Sequence, residues 1–88
     1  DLPEIYNPLD AINIYPNPVK EIATVDLPAG IGEISFRLFD ATGKELIRMD
    51  NIQDNSFSFN RAHLPSGMYF YRIEEKSGRF KAGKLSLE

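Results

Sequence analysis

A sandwich of seven antiparallel β-strands is the fold this sequence predicts, on three observations. Apolar and polar residues alternate at period two along almost the whole chain. Turn-forming residues recur about every eight to twelve positions, and no segment carries helical periodicity. With 88 residues, the chain is expected to bury about 60% of its unfolded surface, enough for one core and not for two.

Residues 1–11 hold Pro3, Asn7 and Pro8 among apolar residues without period, which reads as a linker or N-terminal arm ahead of a domain spanning 12–88. Ile12 and Ile14 open the first strand. Pro16-Asn17-Pro18 ends it, because each ring fixes φ near about −65° and removes a donor, and each residue before a proline is pushed out of the helical region. A strand entering such a block must leave its ladder at a sheet edge or at a crossing between sheets. Ala23, Val25 and Leu27 then alternate with Thr24 and Asp26, closed by Pro28-Ala29-Gly30. Ile34, Phe36 and Leu38 alternate with Ser35 and Arg37 in the third strand.

Asp40-Ala41-Thr42-Gly43 is a hairpin turn with a mechanism. Asp40 can bond the backbone two residues on, and Gly43 takes the positive-φ position. The return strand, Lys44 to Asp50, puts Leu46 and Arg48 on one face and Ile47 and Met49 on the other; Asn51 to Asn55 reads as a polar loop. Phe57 and Phe59 mark the fifth strand, and Leu64-Pro65-Ser66-Gly67 is the next strong turn. The sixth strand alternates Tyr69, Tyr71 and Ile73 with Phe70 and Arg72, so it is apolar on both faces and is expected at a central position. Ser77-Gly78 is a tight hairpin turn. In the last strand Phe80 and Ala82 share one parity and Leu85 and Leu87 the other, and a β-bulge at Gly83 is expected to absorb the slip. Seven strands at this length point to an immunoglobulin-like Greek-key topology, and Tyr69 fits a tyrosine corner whose hydroxyl reaches back into the preceding turn. The inter-sheet Cys and the Trp of antibody domains are missing.

Charge is uneven. Residues 1–60 carry ten acids against four bases, residues 61–88 six bases against three acids, and the net charge is −3. That balance argues against nucleic acid as a partner. The basic stretch Lys76, Arg79, Lys81 and Lys84 reads as a guarded edge strand or as a recognition surface. No apolar run has the length of a membrane span or a signal-peptide core. The chain opens on Asp1-Leu2-Pro3-Glu4 without an initiator Met, and is expected to be a piece of a longer protein.

Residues for catalysis are scarce, and the chain is not expected to be an enzyme. His63 is the single histidine and reads as a surface loop residue. Without Cys, a transition-metal site would depend on carboxylates. Asp40, Asp50 and Asp54 lack the rhythm of a calcium loop and read as solvated acids. Gly30 and Gly32 lie between strands with no helix to bind an anion. No cofactor is expected. Tyr69, Phe70, Tyr71 and Phe80 are expected in core packing, with Phe39 and Tyr15 the better candidates for exposure.

Four ordered blocks resemble a known family: Ile14-Tyr15-Pro16-Asn17-Pro18; Phe39-Asp40-Ala41-Thr42-Gly43-Lys44; Leu64-Pro65-Ser66-Gly67-Met68-Tyr69-Phe70-Tyr71-Arg72-Ile73; and Gly83-Lys84-Leu85. Over about residues 12–87 the chain resembles a type A C-terminal sorting domain of the type IX (Por) secretion system of the Bacteroidota. The resemblance implies a seven-stranded β-sandwich at the end of a cargo protein that enters the periplasm by an ordinary N-terminal signal. It implies that the sandwich then directs the folded cargo across the outer membrane to the cell surface or beyond. An outer-membrane cargo receptor and a sortase-like cysteine peptidase are the implied partners, and the peptidase removes the domain, often joining the cargo to an anionic lipopolysaccharide. Carried onto this sequence, the family's Pro-x-Gly-x-Tyr element is Pro65, Gly67 and Tyr69, the late turn glycine is Gly78, and the terminal element is Lys84, Leu85 and Leu87. Ser86 departs from the β-branched apolar residue frequent there. Cleavage is expected in the segment before Ile12. Two other readings stand beside this one: an adhesion or carbohydrate-binding sandwich on a surface enzyme, or a fibronectin-like spacer.

Overall fold

Seven strands build two antiparallel sheets in the computed structural model, which describes residues 7–88. β1 (Asn13–Tyr15), β2 (Ile22–Asp26) and β5 (Ser56–Asn60) form one sheet in the order β1-β2-β5. β3 (Ile34–Phe39), β4 (Glu45–Ile52), β6 (Gly67–Glu75) and β7 (Phe80–Leu87) form the other in the order β4-β3-β6-β7. The chain changes sheet after β2, β4 and β5, an order consistent with Greek-key connectivity. β6, apolar on both faces, lies inside its sheet, and β7 is an edge.

Period-two alternation sends one face of each strand inward. Ala23, Val25 and Phe59 meet Ile34, Phe36, Leu38, Ile73, Leu85 and Leu87, all buried. Phe36 joins the layers, stacking on Phe59 at 4.9 Å between centroids and meeting Phe57 edge-on at 5.4 Å. Such aromatic pairs add about 0.5–1.5 kcal/mol beyond the area they bury.

The expected bulge at Gly83 is absent. Pairing of β6 with β7 runs unbroken from Gly67↔Leu87 to Glu74↔Phe80. The two parities are two faces: Leu85 and Leu87 enter the core, whereas Phe80 and Ala82 face solvent. Gly83 points inward, opposite Tyr71, and a Cβ there would sit 2.6 Å from the tyrosine hydroxyl oxygen and 2.7 Å from two ring carbons. The glycine makes room for a ring. The ladder shifts instead between β3 and β4, at Ile34/Phe36 and at Leu38/Phe39. The first shift coincides with Asn51, whose φ is +59°. It resets parity so that Ile52 is buried, which extends β4 into what reads in sequence as the start of a polar loop.

Ahead of β1, Pro8–Ala11 form a 3-10 turn capped by Asn7. The Asn7 side chain accepts from the Leu9 N–H at 3.1 Å and donates to the Phe80 carbonyl at 2.9 Å. Leu9 is fully buried, and Asp10 pairs with Lys81 at 3.1 Å. Residues 1–6 of the expected arm lie outside the described residues.

Candidate functional site

Strand direction gathers the sequence blocks at one end of the sandwich. β1 and β5 end there and β2 begins, because Tyr15 pairs with Thr24 and Ile22 with Asn60. In the other sheet β6 begins where β7 ends, with Gly67 opposite Leu87, and the β3–β4 hairpin turns beside Phe70. Tyr15-Pro16-Asn17-Pro18, Asp40–Gly43, Pro65, Gly67 and Leu87 therefore share a pole. Gly78 lies at the opposite pole, closing the β6–β7 hairpin through a bond from its N–H to the Glu75 carbonyl (2.8 Å).

The proline block does what its chemistry dictates. β1 leaves its sheet at Tyr15, and Val19 crosses to the edge of β7 in a parallel bridge to Leu87. Val19 donates to the Ser86 carbonyl and accepts from the Glu88 N–H, both at 2.8 Å, before the chain returns to the first sheet as β2. Fully buried, Val19 joins the core. Tyr69 forms the corner: its hydroxyl donates to the Pro65 carbonyl at 2.6 Å, fixing the turn to the start of β6. Asp40 organises the third block, accepting from the Thr42 N–H (2.9 Å), the Thr42 hydroxyl (2.6 Å) and the Lys44 N–H (3.0 Å). The Thr42 hydroxyl, then the Lys44 amide, hold its carboxyl below the ordinary aspartate range.

A residue that sequence reasoning passed over binds the pole together. Arg61 is 9% exposed, and its guanidinium donates to the main-chain oxygens of Leu64 (2.9 Å), Lys20 (2.8 Å), Val19 (3.4 Å) and Glu88. Its own N–H bonds the Glu21 carbonyl at 2.9 Å. In sequence Arg61 sits in the polar run Asn60-Arg61-Ala62-His63, where nothing marks it as buried. Ala62 beside it has φ +54° and donates its N–H to the Asn60 side chain at 2.6 Å. His63 is exposed, as a loop residue should be, on the rim of a shallow hollow with Lys20, Leu64 and Glu88.

The family positions divide. Pro65, Gly67 and Lys84 are exposed, whereas the side chains of Tyr69, Leu85 and Leu87 are buried in the core. The aromatic expectation is corrected at three positions. Phe70 and Phe80 are exposed on the outer face of the four-stranded sheet with Met68, and Phe39 is half-buried; Tyr15 is exposed as expected. Outward parity on β6 and β7 is the reason. Phe70 and Phe80 do not form a platform for sugar stacking: their cross-strand rows lie four residues apart along β6, about 13 Å. The Arg72 guanidinium also covers Phe80, 4.1 Å from its centroid.

Electrostatics at the opposite pole are structural. Glu75 is 4% exposed and accepts from Gly32 N–H (2.7 Å), Ser77 hydroxyl (2.7 Å) and the Arg79 guanidinium. Arg79 first, then these two donors, push its carboxyl down to about 2. Of the basic residues near the end of the chain, Arg79 is thereby engaged, and Lys81 is held by Asp10. Among the described residues, Lys84 has no carboxylate within ion-pair distance, and no three acids or His residues group in a way that could hold a metal ion.

Fold and pole together define a small immunoglobulin-like β-sandwich module whose distinguishing features are turns and a strand end. A crystal structure of a DUF3244 family protein with an immunoglobulin-like β-sandwich fold, from Bacteroides vulgatus, is similar over 88% of this chain and 84% of that one, with a TM-score of 0.73 and 18% identity. At that identity the likeness is one of fold. No curated protein matches the chain. A family model described as a secretion system C-terminal sorting domain matches residues 13–87. The chain belongs to that family, and its role is that of a C-terminal sorting signal for type IX secretion, which sends a protein toward the cell surface or out of the cell. It therefore engages the secretion system. No described helix is long and apolar enough to cross a membrane.

Proposed function

We propose that the secretion machinery reads this domain at the pole where its signature blocks meet, and that the domain performs no chemistry of its own. The observation that carries this reading is convergence: four blocks scattered from Tyr15 to Leu87 share one end of the sandwich, and the exposed hydrophobic residues Tyr15, Ile22 and Met68 sit there too. Pro65, Gly67 and Lys84 are the contact positions. Tyr69, Leu85 and Leu87 shape the pole from inside.

Strand addition along β7 is confined to a short window. In an antiparallel strand, alternate residues turn their backbone groups to the free edge. Asn7 occupies the Phe80 carbonyl, and Val19 occupies the Ser86 carbonyl and the Glu88 N–H. Ala82 and Lys84 remain, with Lys84 orienting an approaching acidic strand.

An outer-membrane cargo receptor takes the folded cargo from the periplasm by this pole, and the sortase-like peptidase separates cargo from signal. Burial of Leu9 and the hydrogen bond of the Asn7 side chain to Phe80 support a working start of the domain near Asn7, with the peptidase acting ahead of it. Fusing the 88 residues behind a periplasmic reporter tests the reading. The reporter should appear outside only in cells with an intact type IX system. Lys84→Glu and Met68→Asp should reduce that export, and Asp54→Lys at the far pole should not. Undiminished export of the first two variants, with their domains folded, rules the pole out.

A further inference from the structure

We infer that Arg61 is the positioning residue that makes the pole a single surface, by fastening the end of β7 to the proline crossover and to the Leu64-Pro65 turn. The inference rests on the pole being what the machinery reads. A guanidinium is planar and carries five donors in a fixed fork. Arg61 spends that fork entirely on main-chain oxygens from three separate stretches: Val19 and Lys20 after the prolines, Leu64 before Pro65, and Glu88 beyond β7. No described side-chain carboxylate pairs with it.

Three of the four oxygens, on Val19, Lys20 and Leu64, are amide carbonyls, and burying a cation against carbonyls is a costly way to gain stability. What the arrangement supplies is geometry. The parallel bridge of Val19 to Leu87 is a single bridge, made by two hydrogen bonds at the edge of β7. Such an isolated bridge belongs to the least protected part of a sheet, and Arg61 bonds residues on both sides of it. Removing the fork frees the last residues of β7 from Val19 while the sandwich beneath, held by Phe36, Ile73 and Leu85, keeps its packing. The end of β7 is then presented correctly only when three distant segments are already folded together, so the export label reports on folding.

The test uses Arg61→Lys and Arg61→Met in the 88-residue chain and in the reporter fusion. A lysine keeps the charge but is a point donor that cannot span all four oxygens. Hydrogen exchange at the Val19 and Glu88 amides should rise at least about tenfold in both variants, while Phe36 and Ile73 amides stay within about twofold of native. Export should fall with the loss of that protection, more in Arg61→Met than in Arg61→Lys. Three results overturn the proposal. One is native protection of Val19 and Glu88 in Arg61→Lys; another is native export of a variant in which those amides are exposed. A uniform rise in exchange across the core also overturns it, by making Arg61 a general stabiliser. If Lys84→Glu and Met68→Asp also export normally, the reading of the pole has failed. If they are impaired and Arg61→Lys is not, only the role of Arg61 has.

Discussion

Alanine at Gly83 should reverse the sign of its effect according to what stands at position 71. In the native sequence the added Cβ would lie 2.6 Å from the Tyr71 hydroxyl oxygen and 2.7 Å from two ring carbons. Overpacking of this kind costs about 1–3 kcal/mol. Tyr71 is only half-buried and can swing partly aside, which keeps the cost to about 1.5–2 kcal/mol. Alanine in place of glycine in a strand offers about 0.5–1 kcal/mol of conformational benefit in return. The net expectation for Gly83→Ala is a loss of about 1 kcal/mol, or about 4–8 °C in Tm for a domain of this size. In a Tyr71→Ala background the obstacle is gone, and Gly83→Ala should stabilise by about 0.5–1 kcal/mol. Four urea denaturation curves close the double-mutant cycle, with a coupling of about 1–2 kcal/mol expected between positions in contact. An equal loss in both backgrounds would mean that the glycine answers to backbone conformation, as a bulge requires, and not to the ring above it.

Two further outcomes follow from the hydrogen bonds. The Glu75 carboxyl is depressed to about 2, so the stability it confers is complete above the ordinary glutamate pKa and is lost as pH falls from about 4.5 toward about 2. Discounted for the half-exposed Arg79 partner, Glu75→Gln should lower stability at pH 7 by about 2 kcal/mol. Its deficit relative to the native chain should shrink by pH 3, as urea titrations at the two pH values would show; an equal deficit at both would remove the ion pair from the explanation. Tyr69→Phe loses the 2.6 Å bond to the Pro65 carbonyl and should cost about 1 kcal/mol, measured the same way; no change would mean that water replaces the hydroxyl without loss.

The strands were legible because period two and turn chemistry are local. Asp40-Ala41-Thr42-Gly43 turns as read, with Gly43 at φ +90°, and the tyrosine corner closes on the turn residue ahead of it. Errors arose where parity alone had to decide which face was which. Phe80 and Ala82 looked like misplaced core residues needing a bulge, yet an edge strand can carry apolar side chains outward when a neighbour such as Arg72 covers them. Arg61 was invisible for a related reason. Its partners are main-chain oxygens, which every residue possesses, so no pattern of side chains announces it.

By itself the chain's order of residues determined where strands begin and stop and which blocks belong to a sorting domain, since prolines, glycines and alternation act within a few positions of where they stand. Only the packed sandwich decided that those blocks share a pole, that Leu85 and Leu87 serve from inside while Lys84 faces out, and that one buried guanidinium joins the crossover to the last strand. Such juxtapositions depend on strand order and direction across two sheets, and those arise from contacts between residues far apart in the chain.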